Sequence, residues 1–405
     1  MVKKFDLVLY GATGFVGQQA IAYLAEHAKA KTRWAIAGRS QEKLEAVRSA
    51  VAARIPMVNH TPIIVADAQD EKALAQLAAS TCVVLSCAGP YALYGSKLVA
   101  ACVASRTHYC DITGETPWIR QMIDQHHDRA TKDGTRIVPG CGFDSVPSDL
   151  GAYLLQREMR ARHGTECTQI KAAFSLSGGG LNGGTAASMM NMIESGQLQT
   201  MDHPFLLNPA GTVPSDAASH KRDPLGAHWD KDFKGWLGAF VMGPINTRVV
   251  RRSMALRGEQ TRYQEYMRFG RSPVAGMVAG SFGIGSRITT SLMKLSPLRQ
   301  AAKKLIPQPG QGPSQAAMKR GFFKIDLIGE SAQGQRLRAI VSDTLDAGNG
   351  ATCKMMCEAA LALAQDEKNL PRAAGVITPS VALGDVLLQR MQAAGMRVEV
   401  TTLDF

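Results

Sequence analysis

A doubly wound α/β fold, with a parallel sheet covered by helices on both faces and a second α+β domain, is predicted by three observations. Short, nearly unbroken apolar runs alternate with amphipathic stretches from residue 5 to about 140. A glycine-rich turn joins the first apolar run to the first helical pattern. Beyond residue 140 the alternation gives way to longer helices, an irregular stretch and a hairpin of period two. Strand–helix alternation with strands apolar on both sides belongs to a parallel sheet buried between helices.

The apolar runs predict strands at Phe5–Tyr10, Arg33–Ala37, Pro62–Ala66, Thr81–Cys87, Thr107–Asp111 and Arg136–Pro139. Helical patterns fill the gaps at Phe15–His27, Gln41–Arg54, Asp70–Ala79, Tyr94–Ser105 and Pro117–Thr131. A further helix begins near Pro147, since proline suits a first helical turn. A strand follows at Gln169–Ser177, then the glycines of 178–184, then a helix to about Ser195. Residues 200–235 mix Pro, His and Asp without period and read as loop. Phe323, Ile325 and Leu327 alternate with Lys324 and Asp326, and the turn at Gln333-Gly334 lets Arg336–Val341 pair back. Helices at Ala351–Ala364 and Val381–Ala394, capped by Gly395, precede a last strand at Arg397–Thr402.

At 405 residues the chain exceeds one ordinary core. The expected division is residues 1–140, residues 141–348, and terminal elements 349–405 able to return to the first domain. The formal charge of +12 is concentrated: residues 266–325 hold ten Lys or Arg and no Asp or Glu. Arg287, Lys294, Arg299, Lys303 and Lys304 are among the ten, mixed with Met, Phe, Ile and Leu. Such a segment is expected to meet something anionic: lipid headgroups, an acyl carrier or a nucleotide phosphate. A nucleic-acid partner is not expected. The eight cysteines form no Cys-x-x-Cys pair, and Cys353 and Cys357 have no histidine near them, so they read as thiols of a reducing cytoplasm. His126 and His127 read as surface residues of a polar helix. The amino terminus enters a strand at once and leaves no room for a secretory signal, and no apolar stretch approaches the ~20 residues of a spanning helix.

The turn Gly11-Ala12-Thr13-Gly14-Phe15-Val16-Gly17, directly after the apolar run Leu7-Val8-Leu9, is the dinucleotide fingerprint of a Rossmann domain. Gly11 makes the tight turn, Gly14 leaves room for a pyrophosphate, and Gly17 lets helix and strand pack closely. The helix amino terminus then offers free N–H groups to the phosphates. The second strand ends in Gly38-Arg39-Ser40, without the acidic residue that holds a ribose 2′-hydroxyl. A guanidinium there suits a 2′-phosphate, so the expected cofactor is NADP(H). Asp67 is placed at the adenine or as a helix cap, and Gly89 and Pro90 against the nicotinamide ribose.

Ligands lie beyond the carboxyl ends of the strands in such sheets, which exposes residues 89–95, 111–115 and 140–149. The catalytic candidates there are Tyr94, Asp111 and Asp144. Tyr94 is the first choice as proton donor, while Asp111 and Asp144 orient groups or bind substrate. The Tyr-x-x-x-Lys pair of short-chain dehydrogenases is missing; Tyr94 and Lys97 stand one residue too close.

GATGFVG, AGRS, GPYALYG, HYCDITGE and GCGFDSVPSDLG together resemble the saccharopine dehydrogenase-like oxidoreductases. GPINTRVVRRS (Gly243–Ser253), PGQGPS (Pro309–Ser314) and ITPSVALGD (Ile377–Asp385) are similar to the branch of trans-acting enoyl reductases. The resemblance covers nearly the whole chain, although the second domain does not look like that of a true saccharopine dehydrogenase. It implies NAD(P)H-dependent reduction, in some members of an enoyl double bond on an acyl chain carried by a separate synthase. The implied cofactor role falls on Gly11, Thr13, Gly14, Phe15, Val16, Gly17, Arg39 and Ser40. No catalytic set comes with the resemblance. The reading is an NADPH-dependent oxidoreductase of the cytosol or the inner membrane face, acting on a carbon–carbon double bond of a hydrophobic acyl-type substrate. Its alternatives are a carbonyl or imine reductase on the same fold and a non-catalytic, lipid-associated scaffold.

Overall fold

A computed structural model describes residues 3–213, 223–224, 226–293, 295–308 and 310–403. Lys294 and Pro309, singled out above, lie outside the described residues, as does the side chain of Arg287.

The first region alternates as its apolar pattern predicts. The strands and helices are β1 (Phe5–Tyr10), α1 (Phe15–His27), β2 (Trp34–Gly38), α2 (Gln41–Ala52), β3 (Ile63–Val65), α3 (Glu71–Ser80) and β4 (Thr81–Ser86). Then come α4 (Tyr91–Tyr94), α5 (Ser96–Ala104), β5 (His108–Asp111), α6 (Thr116–Lys132), β6 (Arg136–Val138) and α7 (Val146–His163). The single helix expected over Tyr94–Ser105 is two helices broken at Gly95. The indole of Trp118 lies so close that a Cβ on Gly95 would meet it at 2.7 Å, and the indole N–H donates to Ser96 Oγ at 3.0 Å.

After α7 the chain forms β7 (Cys167–Ser177), α8 (Gly183–Glu194), β8 (His228–Asp230), β9 (Gly235–Gly238), α9 (Gly243–Arg257) and β10 (Arg262–Gly270). It continues through α10 (Pro273–Leu292), α11 (Ser296–Leu305), α12 (Gln315–Lys319), β11 (Phe322–Ser331) and β12 (Arg336–Asp343). The last elements are α13 (Thr352–Gln365), β13 (Gly375–Val376), α14 (Pro379–Ala393) and β14 (Arg397–Thr402).

Two seven-stranded sheets result. The first is parallel throughout, in the order β13-β6-β5-β4-β1-β2-β3. The second runs β14-β12-β11-β7-β10-β9-β8 and is antiparallel except where β10 lies parallel to β7. The terminal elements divide between them: β13 extends the parallel sheet and β14 the other. Helix α13 lies between the sheets, and its Met355, Met356 and Leu361 share one apolar core with Leu7, Leu9 and Leu85 on one side and Phe174, Phe323 and Leu327 on the other.

The stretch 200–235 is not all loop. It ends in β8, and residues 201–207 are tied down by three buried arginines on α9. Arg248 donates to Met201 O at 2.7 Å and pairs with Asp223. Arg251 donates to Pro204 O at 3.0 Å, and Arg252 to Leu207 O and, at 2.6 Å, to Val376 O. Burial lowers the Arg251 and Arg252 guanidiniums only to about 10, so both stay charged at neutral pH. The motif Gly243–Ser253 therefore carries a backbone clamp. His127 is half-buried rather than a surface residue, with Nδ1 3.3 Å from Val376 O.

Candidate active site

The β1–α1 turn has the shape its glycines require. Gly11 adopts φ +81°, and a Cβ there would stand 2.8 Å from Ala88 N, against the neighbouring strand end. A Cβ on Gly17 would overlap the Gly11 carbonyl oxygen and come within 2.9 Å of Ala12 Cα, so α1 and β1 touch at backbone distance. Gly14, the N-cap of α1, is open: a Cβ would meet just Gly11 O, at 3.4 Å. The N–H groups of Phe15, Val16 and Gly17 face the end of the helix with no preceding turn to accept them. This is a cradle that a Cβ at Gly14 would fill, and a pyrophosphate fits it. The Val16 side chain is buried in the core, so only its backbone is left to face a ligand. Thr13 O is held by Gln18 Nε2 at 3.1 Å, which fixes the loop's outer edge.

At the end of β2, Arg39 is exposed and carries no partner among the described residues. Ser40 caps α2, its Oγ accepting Lys43 N–H at 3.3 Å, and its hydroxyl proton stays available to donate. Asp67 is not the cap of α3. That role belongs to Asp70, whose Oδ1 accepts the N–H groups of Lys72 and Ala73 at 3.0 Å. Asp67 accepts Gln69 N–H at 2.8 Å in a turn beside the adenosine end. These groups would hold the 2′-phosphate and adenosine of NADP(H). Arg39→Ala is expected to weaken NADPH roughly ten- to hundredfold, the range of a charged hydrogen bond, and to leave NADH unchanged. Titration of both coenzymes reads it, and equal losses would detach Arg39 from the 2′-phosphate.

The other half of the site is built on β4, β5 and β6. Gly89 and Pro90, joined by a cis peptide, lead into α4, whose first N–H groups are capped by a side chain from the loop between β5 and α6. Glu115, fully buried, accepts Tyr91 N–H at 2.8 Å and Ala92 N–H at 2.9 Å. Across the cleft stands α8: a Cβ on Gly89 would lie 3.4 Å from Ser188 Oγ. Glu115 is one of the polar residues that the sequence places in the exposed segment 111–115, without a role, and Ser188 was not identified from sequence. Their roles depend on contacts across 24 residues for Glu115 and across the two sheets for Ser188.

Asp111 sits where an orienting carboxylate would, enclosed by donors from two loops. It has no exposed surface. Its Oδ1 accepts Thr113 N–H at 3.0 Å and Gly140 N–H at 2.9 Å, and its Oδ2 accepts the Tyr109 hydroxyl at 2.8 Å. It ties the loops after β5 and β6 together, and burial pushes its carboxyl up to about 7.

Asp144 stands just beyond that tie, at the carboxyl end of β6. It is partly exposed and has no hydrogen bond or ion pair among the described residues. Desolvation alone pushes its carboxyl up to about 6. Its Oδ2 faces Gly114, where a Cβ would lie 3.5 Å from it and 3.1 Å from Ile245 Cδ1. Ile245 in turn belongs to a small apolar cluster with Met192, Met201 and Met242. Tyr94 ends α4 with its ring 37% exposed. The carbonyl of its neighbour Leu93 is held by Gln69 Nε2 at 3.3 Å, which draws this end of α4 toward the adenosine half of the sheet.

Residues 7–138 match the saccharopine dehydrogenase NADP-binding domain. A trans-acting enoyl reductase of Mycobacterium ulcerans is 36% identical over 423 residues, covering 99% of each chain. A Mycobacterium tuberculosis protein, given the same name provisionally, is 39% identical over 99% of this chain and 98% of its own. The apo saccharopine dehydrogenase (L-Glu forming) of Saccharomyces cerevisiae has the same fold, with a TM-score of 0.55, 13% identity and coverage of 98% of this chain and 99% of its own. The parallel sheet, the phosphate turn and this full-length likeness make the chain an NADP(H)-binding oxidoreductase that belongs to the trans-acting enoyl reductase family.

Proposed function

We propose that this protein reduces the carbon–carbon double bond of an enoyl thioester whose hydrophobic acyl chain is carried by a separate synthase or acyl carrier. The observation that carries the reading is the unpartnered Asp144 carboxyl, raised to about 6 by desolvation beside an apolar cluster of one isoleucine and three methionines. Bound NADPH supplies a hydride to the carbon β to the thioester carbonyl. The resulting enolate then needs a proton at the α carbon. Asp144, whose desolvation raises its carboxyl to about 6 and so keeps a protonated fraction near neutral pH, donates it and is reloaded from solvent through its exposed edge. Asp111 and Glu115 act through others: they fix the loops from which Asp144 and the Gly89–Pro90 turn project. The methionines give an unbranched acyl chain a wall that adapts to its shape. Tyr94 is the lesser donor candidate, because its neighbouring backbone is tied toward the adenosine end.

Deuteride transfer from 4-deuterated NADPH to an enoyl thioester, followed by mass spectrometry, tests the reading. Label at the β carbon of a saturated product supports it. Label found in alcohol or amine products, with the enoyl thioester untouched, would overturn it in favour of carbonyl or imine reduction.

A second observation bears on location. No helix among the described residues is long and apolar enough to cross a membrane. Yet α10 presents Val274, Met277, Val278, Ile284, Ile288 and Leu292 to solvent, and α11 adds Leu298 and Leu305. The surrounding sixty residues contain no acid. This composition supports the reading that the face rests on an anionic membrane. Sedimentation with phosphatidylglycerol vesicles checks it: the double substitution Ile284→Glu, Ile288→Glu is expected to abolish binding that the intact protein shows at low salt. Equal binding by the two proteins, or none by either, would reject the membrane contact.

A further inference from the structure

The basic segment also reaches, from the end of α11, toward the cofactor turn. Helix α11 is moored to the end of α8, where Glu194 pairs with Lys303 and, at 3.3 Å, with Arg299. From its last turn the chain runs past Phe15, at the start of α1. A cavity of about 740 Å³ opens there between Phe15, on the first turn of α1, and Lys304–Gln308 with Gly310–Gly312. This run is fastened at its far end. Gly183 N–H donates to Gln311 O at 2.9 Å, and Gln311 Oε1 accepts Gln308 N–H at 3.0 Å. Gly312 rests against Phe15 so closely that a Cβ would stand 2.5 Å from the ring. The strap thus touches the residue whose own N–H faces the phosphates.

Charge makes the arrangement informative. A pyrophosphate brings two negative charges to this turn, and residues 11–17 supply backbone dipole but no cation. Arg39, at the end of β2, stands where the 2′-phosphate would be. Lys304 is the one cation among the residues lining the cavity. It is exposed, and unlike Lys303 it has no ion-pair partner among the described residues. A lysine serves a phosphate as a point charge and needs no fixed fork geometry, which suits a contact made from a strap.

We propose that residues 304–308 and 310–312 form the outer wall of the dinucleotide site, with Lys304 pairing with the cofactor's pyrophosphate. The proposal rests on the NADP(H) reading of the β1–α1 turn and adds to it a binding residue from the second sheet's side of the molecule. It also divides the phosphates between two cations. Arg39 discriminates NADPH from NADH, while Lys304 serves both alike.

The test is titration of Lys304→Ala with NADPH and with NADH, followed by coenzyme fluorescence, in parallel with the intact protein and Lys304→Arg. Both dissociation constants are expected to rise by the same factor, roughly tenfold for a charged contact to phosphate, and Lys304→Arg to restore most of the loss. Tryptic cleavage after Lys303 and Lys304 is also expected to slow several-fold when NADP⁺ saturates the intact protein. Unchanged constants for Lys304→Ala, or a loss confined to NADPH, would overturn the pyrophosphate assignment. Cleavage indifferent to NADP⁺ would remove the strap from the site. Absence of saturable binding by the intact protein would instead bring down the dinucleotide reading itself, a different result from an intact protein that binds and a variant that binds equally.

Discussion

Replacement of Asp144 by Asn is expected to lower turnover of an enoyl thioester between about a hundredfold and ten-thousandfold, the range of a positioned general acid, with NADPH affinity unchanged. The amide keeps the shape of the side chain and cannot release a proton to a carbanion. The intact enzyme should carry the matching pH signature. The Asp144 carboxyl is raised by burial to about 6, so the donor form predominates below that pH. Turnover is therefore expected to be level below about pH 6 and to fall as pH rises through it, and Asp144→Asn to flatten the profile. The stability linkage has its own sign. A carboxyl whose folded pKa exceeds its unfolded value stabilises the fold fully only below the unfolded value, and that contribution is lost as pH rises through the folded one. At pH 8 the intact protein carries an ionised Asp144 without a partner, so Asp144→Asn should unfold at the same temperature or higher. Loss of turnover without loss of stability marks a group kept for chemistry. Tyr94→Phe is the control, expected to change turnover less than about threefold, well below the range for a positioned donor. A level profile in the intact enzyme, or a larger effect from Tyr94→Phe, would transfer the donor role away from Asp144.

The two halves of the site differ in how far the amino-acid order alone reveals them. The phosphate turn was legible because its requirements are local: Gly11, Gly14 and Gly17 lie within seven residues, between an apolar run and a helical pattern. The parallel strands were legible for the same reason, since a strand buried on both faces announces itself by continuous apolar residues. Asp111 and Asp144 could be located, on strand ends, but not told apart. What separates them is environment, a full set of donors around one carboxylate and none around the other. Glu115 and Lys304 were legible only as members of a loop and of a basic segment, and Ser188 gave no sign, because each contact is made with a part of the chain distant in order. The second sheet was partly hidden for a different reason. Strand β10 buries Glu265, and β8 is only three residues long, so neither shows a clean apolar alternation. The acid-free segment 266–325, read as one surface element, begins inside β10, passes through three helices and ends inside β11.

The glycines of the phosphate turn support an experiment that separates folding from binding. Gly17→Ala places a methyl group against the backbone of Gly11 and Ala12, neither of which can move without shifting β1 or α1. Overpacking of this kind costs about 1–3 kcal/mol; a lower unfolding temperature is expected, together with loss of NADPH binding. Gly14→Ala differs. Its methyl group meets just the Gly11 carbonyl oxygen at 3.4 Å, and Gly14 already has extended backbone angles that alanine adopts freely. The fold should keep its unfolding temperature within about 0.5 kcal/mol of equivalent stability, as for substitutions outside the core. The methyl would nonetheless occupy the space of the pyrophosphate, and NADPH binding should fall by at least about a hundredfold, the loss of two charged hydrogen bonds. Thermal melts and coenzyme titration on the two variants decide the matter. If Gly14→Ala binds NADPH as the intact protein does, the phosphates lie elsewhere, and the assignments of Arg39 and Lys304 lose their common anchor. If it melts as early as Gly17→Ala, the turn is a packing device first, and the open face at Gly14 is not a ligand's space.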